Sequence, residues 1–306
     1  MVRYADNGGI QIAFEDLGGA GGDPLLLGMG LGTTRFWWPD GLVDELVRRG
    51  FHVVTYDQRD AGQSTHLPAR RVGPPVKALL RRTAPAYNAE DLADDAVAVL
   101  DALGWQRAHL FGHSMGGLLA QRIAIRHPER VLSLITSSAV PSDAKGLGLL
   151  RYVRPAAVIR FARLHHPDTP EGDLALAVAV ARMLAAPGKS IGERDVREFV
   201  DKEAAHQVTS FRDAQAQSRQ IGAKWHGAGL ARITAPTLVL HGEQDPLLRV
   251  TAARDLAAAI PDAHLRTMPD VGHFLTRDDW PAYAAAIRAH ADHAGPNPPH
   301  ARTAAA

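Results

Sequence analysis

The chain has 306 residues, with 34 lysines and arginines against 33 acidic residues and no cysteine. Without cysteine there can be no disulfide bond, no Cys-ligated metal centre and no thiol nucleophile. A formal net charge of +1 gives too weak a field to favour nucleic acid or an anionic membrane as a partner, so we expect neither.

The first part of the chain alternates between strand-like and helix-like segments. The strand-like segments are short apolar runs at residues 10–15, 24–27, 52–56, 109–111 and 133–136. The helix-like segments have amphipathic patterns and lie at residues 40–49, 89–103 and 118–126. Strands that alternate with helices through short connections predict an α/β fold with a mainly parallel sheet covered on both faces.

The alternation stops between residues 142 and 230, where the chain is rich in Ala, Arg and Leu. This middle segment predicts helices at 147–164, 173–185, 193–206 and 208–221. Strands at 237–240 and 264–268 and helices at 251–259 and 280–291 then resume the earlier pattern. We therefore expect an α/β core formed by residues 1–141 and 231–293, an inserted helical cap at 142–230, and a disordered Pro-rich tail at 294–306.

The sequence pattern carries no export or membrane signal. The N-terminal residues mix charge with glycine and lack the continuous apolar core of a signal peptide. The most apolar stretch, residues 174–181, is too short to span a bilayer, and its alanine content favours a helix. We expect a cytoplasmic protein without a membrane span.

The sharpest motif runs from Gly112 to Gly117 and reads GHSMGG, which matches the pattern G-x-S-x-G. It lies directly after a predicted strand and directly before a predicted helix. In such a tight turn the hydroxyl of Ser114 projects away from the sheet, and the flanking glycines leave room for the turn and for helix packing. N–H groups at the start of the helix favour negative charge beside the serine. This context favours Ser114 as a nucleophile over an incidental turn residue.

A serine nucleophile needs a base, and the base needs an acid that orients it. Asp245 follows the predicted strand at 237–240, and His273 follows the predicted strand at 264–268. Ser114, Asp245 and His273 therefore occur in the order serine, acid, histidine that α/β-hydrolases use. Each lies beyond the carboxyl end of a strand, where active sites of open α/β sheets form. The pattern predicts a catalytic triad.

Three other acids compete with Asp245 for the orienting role. Glu243 is two residues earlier in the same loop, and Asp143 follows the strand at 133–136, where some hydrolases carry the acid. Asp270 is so near His273 in sequence that it would sooner cap a turn. We favour Asp245 over these three. No spacing of histidines matches a metal-binding motif, so we expect neither a metal nor a cofactor.

Acyl transfer also requires two backbone N–H groups that face the oxygen that becomes negative. One should come from Met115, the residue after the serine. The other should lie in the glycine-rich loop at residues 28–32. A dinucleotide site is the weaker interpretation of this loop, because the G-x-G-x-x-G spacing, a following helix and an acid about twenty residues later are missing.

These motifs resemble the α/β-hydrolase superfamily over nearly the whole chain. Within it, the sequence is similar to actinobacterial serine esterases of the aclacinomycin-methylesterase and lipase-G-like type. The segments that carry the resemblance are LLLGMGLG, YDQRDAGQST, EDLADDAVAVLDALG, GHSMGG, HGEQDPL and VGHF. The resemblance implies a mostly parallel eight-stranded sheet with a helical cap after the sixth strand. It also implies Ser114 as nucleophile, Asp245 as acid, His273 as base, and the N–H groups of Leu31 and Met115 as oxyanion donors.

Gly30, Trp37, Trp38 and Phe274 are the candidate substrate contacts. The two tryptophans follow the glycine-rich loop at residues 28–32 and either line the acyl pocket or anchor the core. Where the superfamily often has His-Gly before the first oxyanion donor, this chain has Met29 and Gly30. The many apolar residues of the predicted cap suggest an apolar pocket.

A charged cluster at Asp57, Arg59 and Asp60, followed by Gly62, has two interpretations. Clustered charges often mark function. We favour a structural role, in which Arg–carboxylate pairs and a glycine turn brace the loop behind the nucleophile.

The sequence therefore predicts hydrolysis of carboxylic esters of apolar small molecules through an acyl-enzyme. The same fold and triad also serve hydrolysis of C–C bonds, lactones and thioesters, and perhydrolysis, so these stay open as alternatives. A non-catalytic ligand-binding homologue is a further alternative, and an intact triad counts against it. A monomer and a homodimer are both compatible with the sequence.

Overall fold

The computed structural model describes residues 1–68, 86–144 and 146–295, and its strands form an eight-stranded sheet. The strands are β1 (Arg3–Asn7), β2 (Ile10–Gly18), β3 (Asp23–Gly28), β4 (Phe51–Tyr56), β5 (Ala108–His113), β6 (Val131–Ser137), β7 (Thr237–Gly242) and β8 (Ala263–Met268). Their order across the sheet is β1-β2-β4-β3-β5-β6-β7-β8. The pairs β1–β2 and β2–β4 are antiparallel, and all other neighbours are parallel. The predicted mainly parallel α/β sheet is confirmed.

Helices cover the sheet and fill the segment between β6 and β7. They are α1 (Asp40–Arg48), α2 (Ala89–Leu103), α3 (Met115–Arg126), α4 (Pro155–Ala162), α5 (Pro170–Leu184), α6 (Arg197–Ala205), α7 (Ala214–Gly222), α8 (Thr251–Ala259) and α9 (Trp280–His293). Helix α2 shows how the sequence sets such bounds. At its start the N–H of Asn88 donates to the Asp91 carboxylate at 2.7 Å, and at its end Gly104 adopts a left-handed conformation with φ 70°.

The core lies on both faces of the sheet because the parallel strands are buried on both sides. On β3, Leu25 and Leu27 point to the layer that contains α1 and α9, whereas Leu26 points to the layer that contains α2 and α3. All three leucines are buried. This two-sided burial explains why the strand appears in the sequence as a continuous apolar run rather than as an alternating pattern.

Strand β1 has no signal of its own in the local sequence pattern. It is an edge strand that pairs with β2, and of its residues only Ala5 is buried. Because β1 contributes one small side chain to the core, its sequence lacks the apolar run that marks the inner strands.

The middle segment is helical, but its first predicted helix, 147–164, is wrong in extent. Residues 146–151 form a 3₁₀ helix, and α4 begins only at Pro155. Proline has no N–H and fixes φ near −65°, so it suits the first position of a helix and interrupts a longer one. His165 and His166 lie beyond the end of α4.

The last predicted helix of the middle segment, 208–221, also begins too early. Helix α7 starts at Ala214, where the Asp213 carboxylate accepts a hydrogen bond from the N–H of Ala216 at 2.8 Å. Just before it, Phe211 has φ 64°, which no helix accommodates. The predicted division into core and cap domains stays a prediction.

The loop after β4 forms the predicted bracing network of Arg–carboxylate pairs. Asp57 pairs with Arg35, Arg59 pairs with Asp95 at 2.6 Å, and Asp60 pairs with Arg219 of α7 at 2.7 Å. These ion pairs are almost fully buried, so breaking one would leave an uncompensated charge in the interior. The Asp60–Arg219 pair also fastens the middle segment to the α/β body.

Within the described residues, no helix has both the length and the apolarity needed to cross a bilayer. Of the predicted tail at 294–306, residues 296–306 lie outside the part of the chain that the structure describes.

Candidate active site

Ser114 lies at the turn between β5 and α3 in a strained backbone conformation. Its φ of 55° and ψ of −120° are rare for a residue with a side chain, and such strain costs about 1–3 kcal/mol. The Ser114 N–H donates to the carbonyl of Ser137 on β6 at 2.8 Å, which ties the turn to the neighbouring strand. The strand–serine–helix arrangement that the motif predicts is present.

Two glycines of the motif permit this turn because the backbone of α3 approaches the sheet closely. A Cβ at Gly116 would lie 2.0 Å from the carbonyl oxygen of Gly28 on β3. A Cβ at Gly112 would lie 2.2 Å from the carbonyl oxygen of Gly116. Both distances are far below van der Waals contact and involve backbone atoms that cannot rotate away. The start of α3 can therefore rest against β3 and β5 only with glycine at these positions.

Asp245 and His273 form a buried hydrogen-bonded pair. The Nδ1 atom of His273 lies 2.8 Å from Oδ2 of Asp245, and the residues are 4% and 1% exposed. The other carboxylate oxygen of Asp245 accepts the N–H groups of Leu247 and Leu248, each at 2.8 Å. Burial opposes ionisation of Asp245, but the nearby His273 and these hydrogen bonds prevail and lower its pKa. The pair is thus arranged to keep a carboxylate against the imidazole.

The imidazole of His273 lies in the same cavity as the side chain of Ser114. The backbone N–H of His273 donates to the carbonyl of Leu184 at the end of α5, at 2.8 Å, and this contact fixes the histidine loop. The ring of His113, the neighbour of Ser114, lies 5.0 Å from the His273 ring between centroids. The structure thus brings together residues that are far apart in sequence.

None of the three competing acids contacts His273 in the described structure. Glu243 accepts a hydrogen bond from the Thr267 hydroxyl at 2.7 Å and is exposed. Asp143 and Asp270 are also exposed. Of the four candidates, only Asp245 has the geometry to orient the imidazole.

His113 has a more defined environment than its place in the motif suggests. It is buried, and its Nδ1 atom lies 3.1 Å from the Ser137 hydroxyl. Burial and the neighbouring His273 lower the pKa of His113 to about 3, so it is neutral near pH 7. A neutral His113 adds no positive charge to this part of the cavity.

The glycine-rich loop after β3 approaches Ser114 directly. A Cβ at Gly30 would lie 3.3 Å from the Ser114 Cβ, so any side chain there would crowd the serine. Two carbonyls of this loop accept hydrogen bonds from side chains. The Met29 carbonyl accepts one from the Gln58 amide at 2.7 Å, and the Gly30 carbonyl accepts one from the Thr33 hydroxyl at 2.8 Å. These contacts hold the loop in one conformation.

The two predicted oxyanion donors both belong to residues that line the cavity. Leu31 is in the glycine-rich loop, and Met115 is the first residue of α3. Among the described residues, neither backbone N–H donates to a protein acceptor. Two free N–H groups beside a serine suit an oxygen that gains negative charge.

The cavity has a volume of about 1300 Å³ and lies between the sheet edge and the middle segment. All four predicted substrate contacts, Gly30, Trp37, Trp38 and Phe274, line it. The two tryptophans also pack in the core, since Trp38 lies 5.0 Å from Phe111 and Trp37 lies 5.2 Å from Phe199 between ring centroids. Trp37 and Trp38 therefore both line the cavity and anchor the core, so the two interpretations of these residues hold together.

Sequence reasoning missed Glu203, a buried residue of α6. Its carboxylate accepts hydrogen bonds from the Thr34 hydroxyl at 2.7 Å, from Trp37 Nε1 at 3.1 Å, and from the hydroxyl and N–H of Ser210. Burial raises its pKa, and these donors act against that rise. Glu203 links the middle segment to the residues that follow the glycine-rich loop. No local motif marks it, because its partners are distant in sequence.

We predict that Gly116→Ala lowers the free energy of unfolding by about 1–3 kcal/mol, the usual cost of overpacking. The added methyl would collide with the Gly28 carbonyl, and β3 and α3 would have to separate. Urea unfolding followed by tryptophan fluorescence measures the change. Gly148→Ala is the matched control, because a Cβ there meets no described atom within 4 Å. An unfolding midpoint equal to that of the control would contradict the close approach.

Comparison with known proteins gives consistent results for sequence and structure. Residues 23–278 match the family described as having the α/β hydrolase fold. Rhodomycin D methylesterase DnrP of Streptomyces peucetius is 30% identical, and the alignment covers 94% of this chain and 97% of that protein.

Solved structures show the same fold. The N-acyl homoserine lactone degrading enzyme Est816 has a TM-score of 0.63 at 25% identity, with 94% of this chain and 99% of that chain covered. The esterase EaEST of Exiguobacterium antarcticum has a TM-score of 0.69 at 19% identity, with 95% and 100% covered, and supports the fold alone. The resemblance inferred from the motifs is confirmed: the chain belongs to the α/β-hydrolase fold family.

Proposed function

We propose that the protein is a serine hydrolase that cleaves carboxylic esters through Ser114, His273 and Asp245. The observation that carries the proposal is the arrangement at the sheet edge. Ser114 occupies a strained turn at the start of a helix. It shares one cavity with His273, which is hydrogen-bonded to the buried Asp245 carboxylate. The 30% identical methylesterase supports ester cleavage as the reaction.

In the first half of the proposed reaction, His273 takes the proton of the Ser114 hydroxyl as its oxygen attacks the ester carbonyl carbon. The imidazolium that forms is stabilised by the Asp245 carboxylate, whose pKa is lowered and which is therefore ionised at neutral pH. The N–H groups of Leu31 and Met115 hold the oxyanion of the tetrahedral intermediate. His273 then gives the proton to the alcohol oxygen as the C–O bond breaks.

In the second half, water replaces the alcohol. His273 removes a proton from water, which attacks the carbonyl carbon of the acyl-enzyme. The same N–H groups hold the second oxyanion, and the proton returns to the Ser114 oxygen as the acid product leaves. Each half of the reaction begins with an unprotonated His273, because the imidazole must accept a proton from Ser114 or from water.

The cavity walls favour an apolar substrate of considerable size. Apolar side chains from the middle segment line much of the cavity: Leu149, Val158, Phe161, Leu164, Leu176 and Phe211. A volume of about 1300 Å³ exceeds the usual range of small-molecule pockets. We therefore propose esters with a long or polycyclic apolar part as substrates.

Lactone hydrolysis is a second candidate, and the likeness to Est816 favours it specifically. A lactone is a cyclic ester, so the same attack, oxyanion and proton transfer apply. The only difference is that the leaving alcohol stays joined to the acyl group. A parallel assay of lactones and open-chain esters would distinguish the two.

We predict that Ser114→Ala reduces kcat for p-nitrophenyl and methyl esters by a factor of about 10⁴ or more, because the nucleophilic oxygen is removed. The variant should keep the unfolding midpoint of the wild type or exceed it, since the strained turn remains and only a hydroxyl is lost. Steady-state kinetics over acyl chains from acetate to palmitate provide the measurement. Turnover that survives the substitution would rule out the serine mechanism.

We also predict that Asp245→Asn lowers kcat by about 10²–10⁴-fold. The amide keeps the shape of the carboxylate but removes the charge that stabilises the imidazolium. Glu243→Gln is the matched control, since Glu243 precedes Asp245 by two residues and contacts Thr267 rather than His273. We expect the control to stay within about twofold of the wild type. Equal losses in both variants would contradict the assignment of the acid.

A further inference from the structure

The cavity continues along α3 to an arginine that the proposed reaction does not use. Arg122 is eight residues after Ser114, and with a rise of 1.5 Å per residue the two Cα positions are about 12 Å apart along the helix. Met115, Leu118, Leu119 and Arg122 all line the cavity. Their spacing of three and four residues places them on one face of α3. The active-site serine and the arginine are thus at two ends of one apolar wall.

Arg122 has few partners inside the protein. One terminal nitrogen donates to the carbonyl of Ser142 at 3.3 Å, and the guanidinium lies over the ring of Trp225 at 5.7 Å from its centroid. Its Nε atom is buried without a hydrogen-bond partner among the described residues. A guanidinium has five N–H donors, so most of the donor capacity of Arg122 is unused.

Within the described chain, Arg122 also lacks a carboxylate at ion-pair distance. Arg126, one turn further along α3, differs in this respect because it forms an ion pair with Asp94 at 2.6 Å. Burial lowers the pKa of Arg122 to about 10, and Glu90, which lies beyond ion-pair distance, acts against this shift. Glu90 itself accepts a hydrogen bond from the N–H of His226 at 2.6 Å. Arg122 is therefore a half-buried charged group at neutral pH with no carboxylate within ion-pair distance among the described residues, and burying such a group is costly.

The remaining charges of the cavity give this end a positive character. Lys224, beside Trp225 in sequence, also lines the cavity and is exposed. Among the lining residues that the structure describes, the one acidic side chain is that of Asp168, which lies 3.9 Å from Arg212. The Asp168 carboxylate is thus offset by Arg212. No carboxylate of the described lining residues offsets the charge of Arg122, so this end of the cavity favours an anion.

We propose that Arg122 forms a subsite for a carboxylate at the far end of the substrate from the scissile ester. The proposal rests on the proposed function and deepens it. It assigns as substrates esters that carry a carboxylate beyond an apolar spacer of several carbon atoms. The spacer lies along Leu118 and Leu119, and the planar guanidinium of Arg122 receives both carboxylate oxygens in the geometry that arginine favours.

Binding to the Ser114→Ala variant tests the proposal without turnover. Calorimetry would compare monomethyl esters of dicarboxylic acids with 6 to 14 carbons against methyl esters of monocarboxylic acids of the same length, at pH 7. We expect the charged compounds to bind at least tenfold more tightly at one optimal length. In the Ser114→Ala background, Arg122→Met should remove this preference, and Arg122→Lys should keep part of it.

Arg126→Met is the matched control, because it removes an arginine from the same helix outside the cavity. It should keep the full preference for the charged ester. Equal affinity for charged and neutral esters, no binding of either series, or equal effects of Arg122→Met and Arg126→Met would overturn the proposal. Arg122→Gln replaces Arg122→Met if urea unfolding shows that the methionine variant does not fold.

The binding experiment, combined with the kinetics of the wild type and the Ser114→Ala variant, separates the two proposals. Charge-selective binding that depends on Arg122, in a protein that fails to hydrolyse any ester, would sustain the subsite and refute the serine-esterase function. Ester hydrolysis that depends on Ser114, without a preference for the charged series, would sustain the function and refute the subsite.

Discussion

The close approach of α3 to β3 and β5 is the constraint on which the rest of the site depends. Gly116 rests against the Gly28 carbonyl, and Gly112 rests against Gly116, at distances that leave no space for a methyl group. This contact forces the chain to turn sharply at Ser114, which pays with an unfavourable backbone conformation. The turn places Ser114 immediately before α3, where Ser114 and Met115 both line the cavity.

The parallel sheet then supplies the other groups at that point. The loops after β7 and β8 carry Asp245 and His273, and both strands end at the same edge as β5. Because the strands are fixed by two-sided burial, the loops that follow them are placed with little freedom. The segment between β6 and β7 closes the cavity from above and is fastened by buried polar contacts at Glu203 and Arg219. The sheet thus sets the positions of Asp245 and His273, whereas the segment between β6 and β7 sets the access to the cavity.

Much of this arrangement could be predicted from the sequence, because its signals are local. Apolar runs identify the inner strands, and the motif around Ser114 together with the order serine, acid, histidine identifies the candidate triad. Other features depend on contacts between distant residues and leave no local pattern. Arg35, rather than the nearby Arg59, pairs with Asp57, and the significance of Glu203 and Arg122 appears only when α6 and α3 are seen beside the cavity. The late start of the first helix of the middle segment is marked by Pro155, but predicting it requires giving that residue more weight than the surrounding helix formers.

The central claim is that the Ser114 oxygen is the nucleophile and that His273 activates it. Labelling of the folded protein with a fluorophosphonate, followed by proteolysis and mass spectrometry of the peptides, tests this claim most directly. The account predicts one added phosphonyl group on the peptide that contains Ser114, and a rate of labelling at least about 10²-fold lower in a His273→Ala variant. A label on any other residue, or folded protein that stays unlabelled, would contradict it.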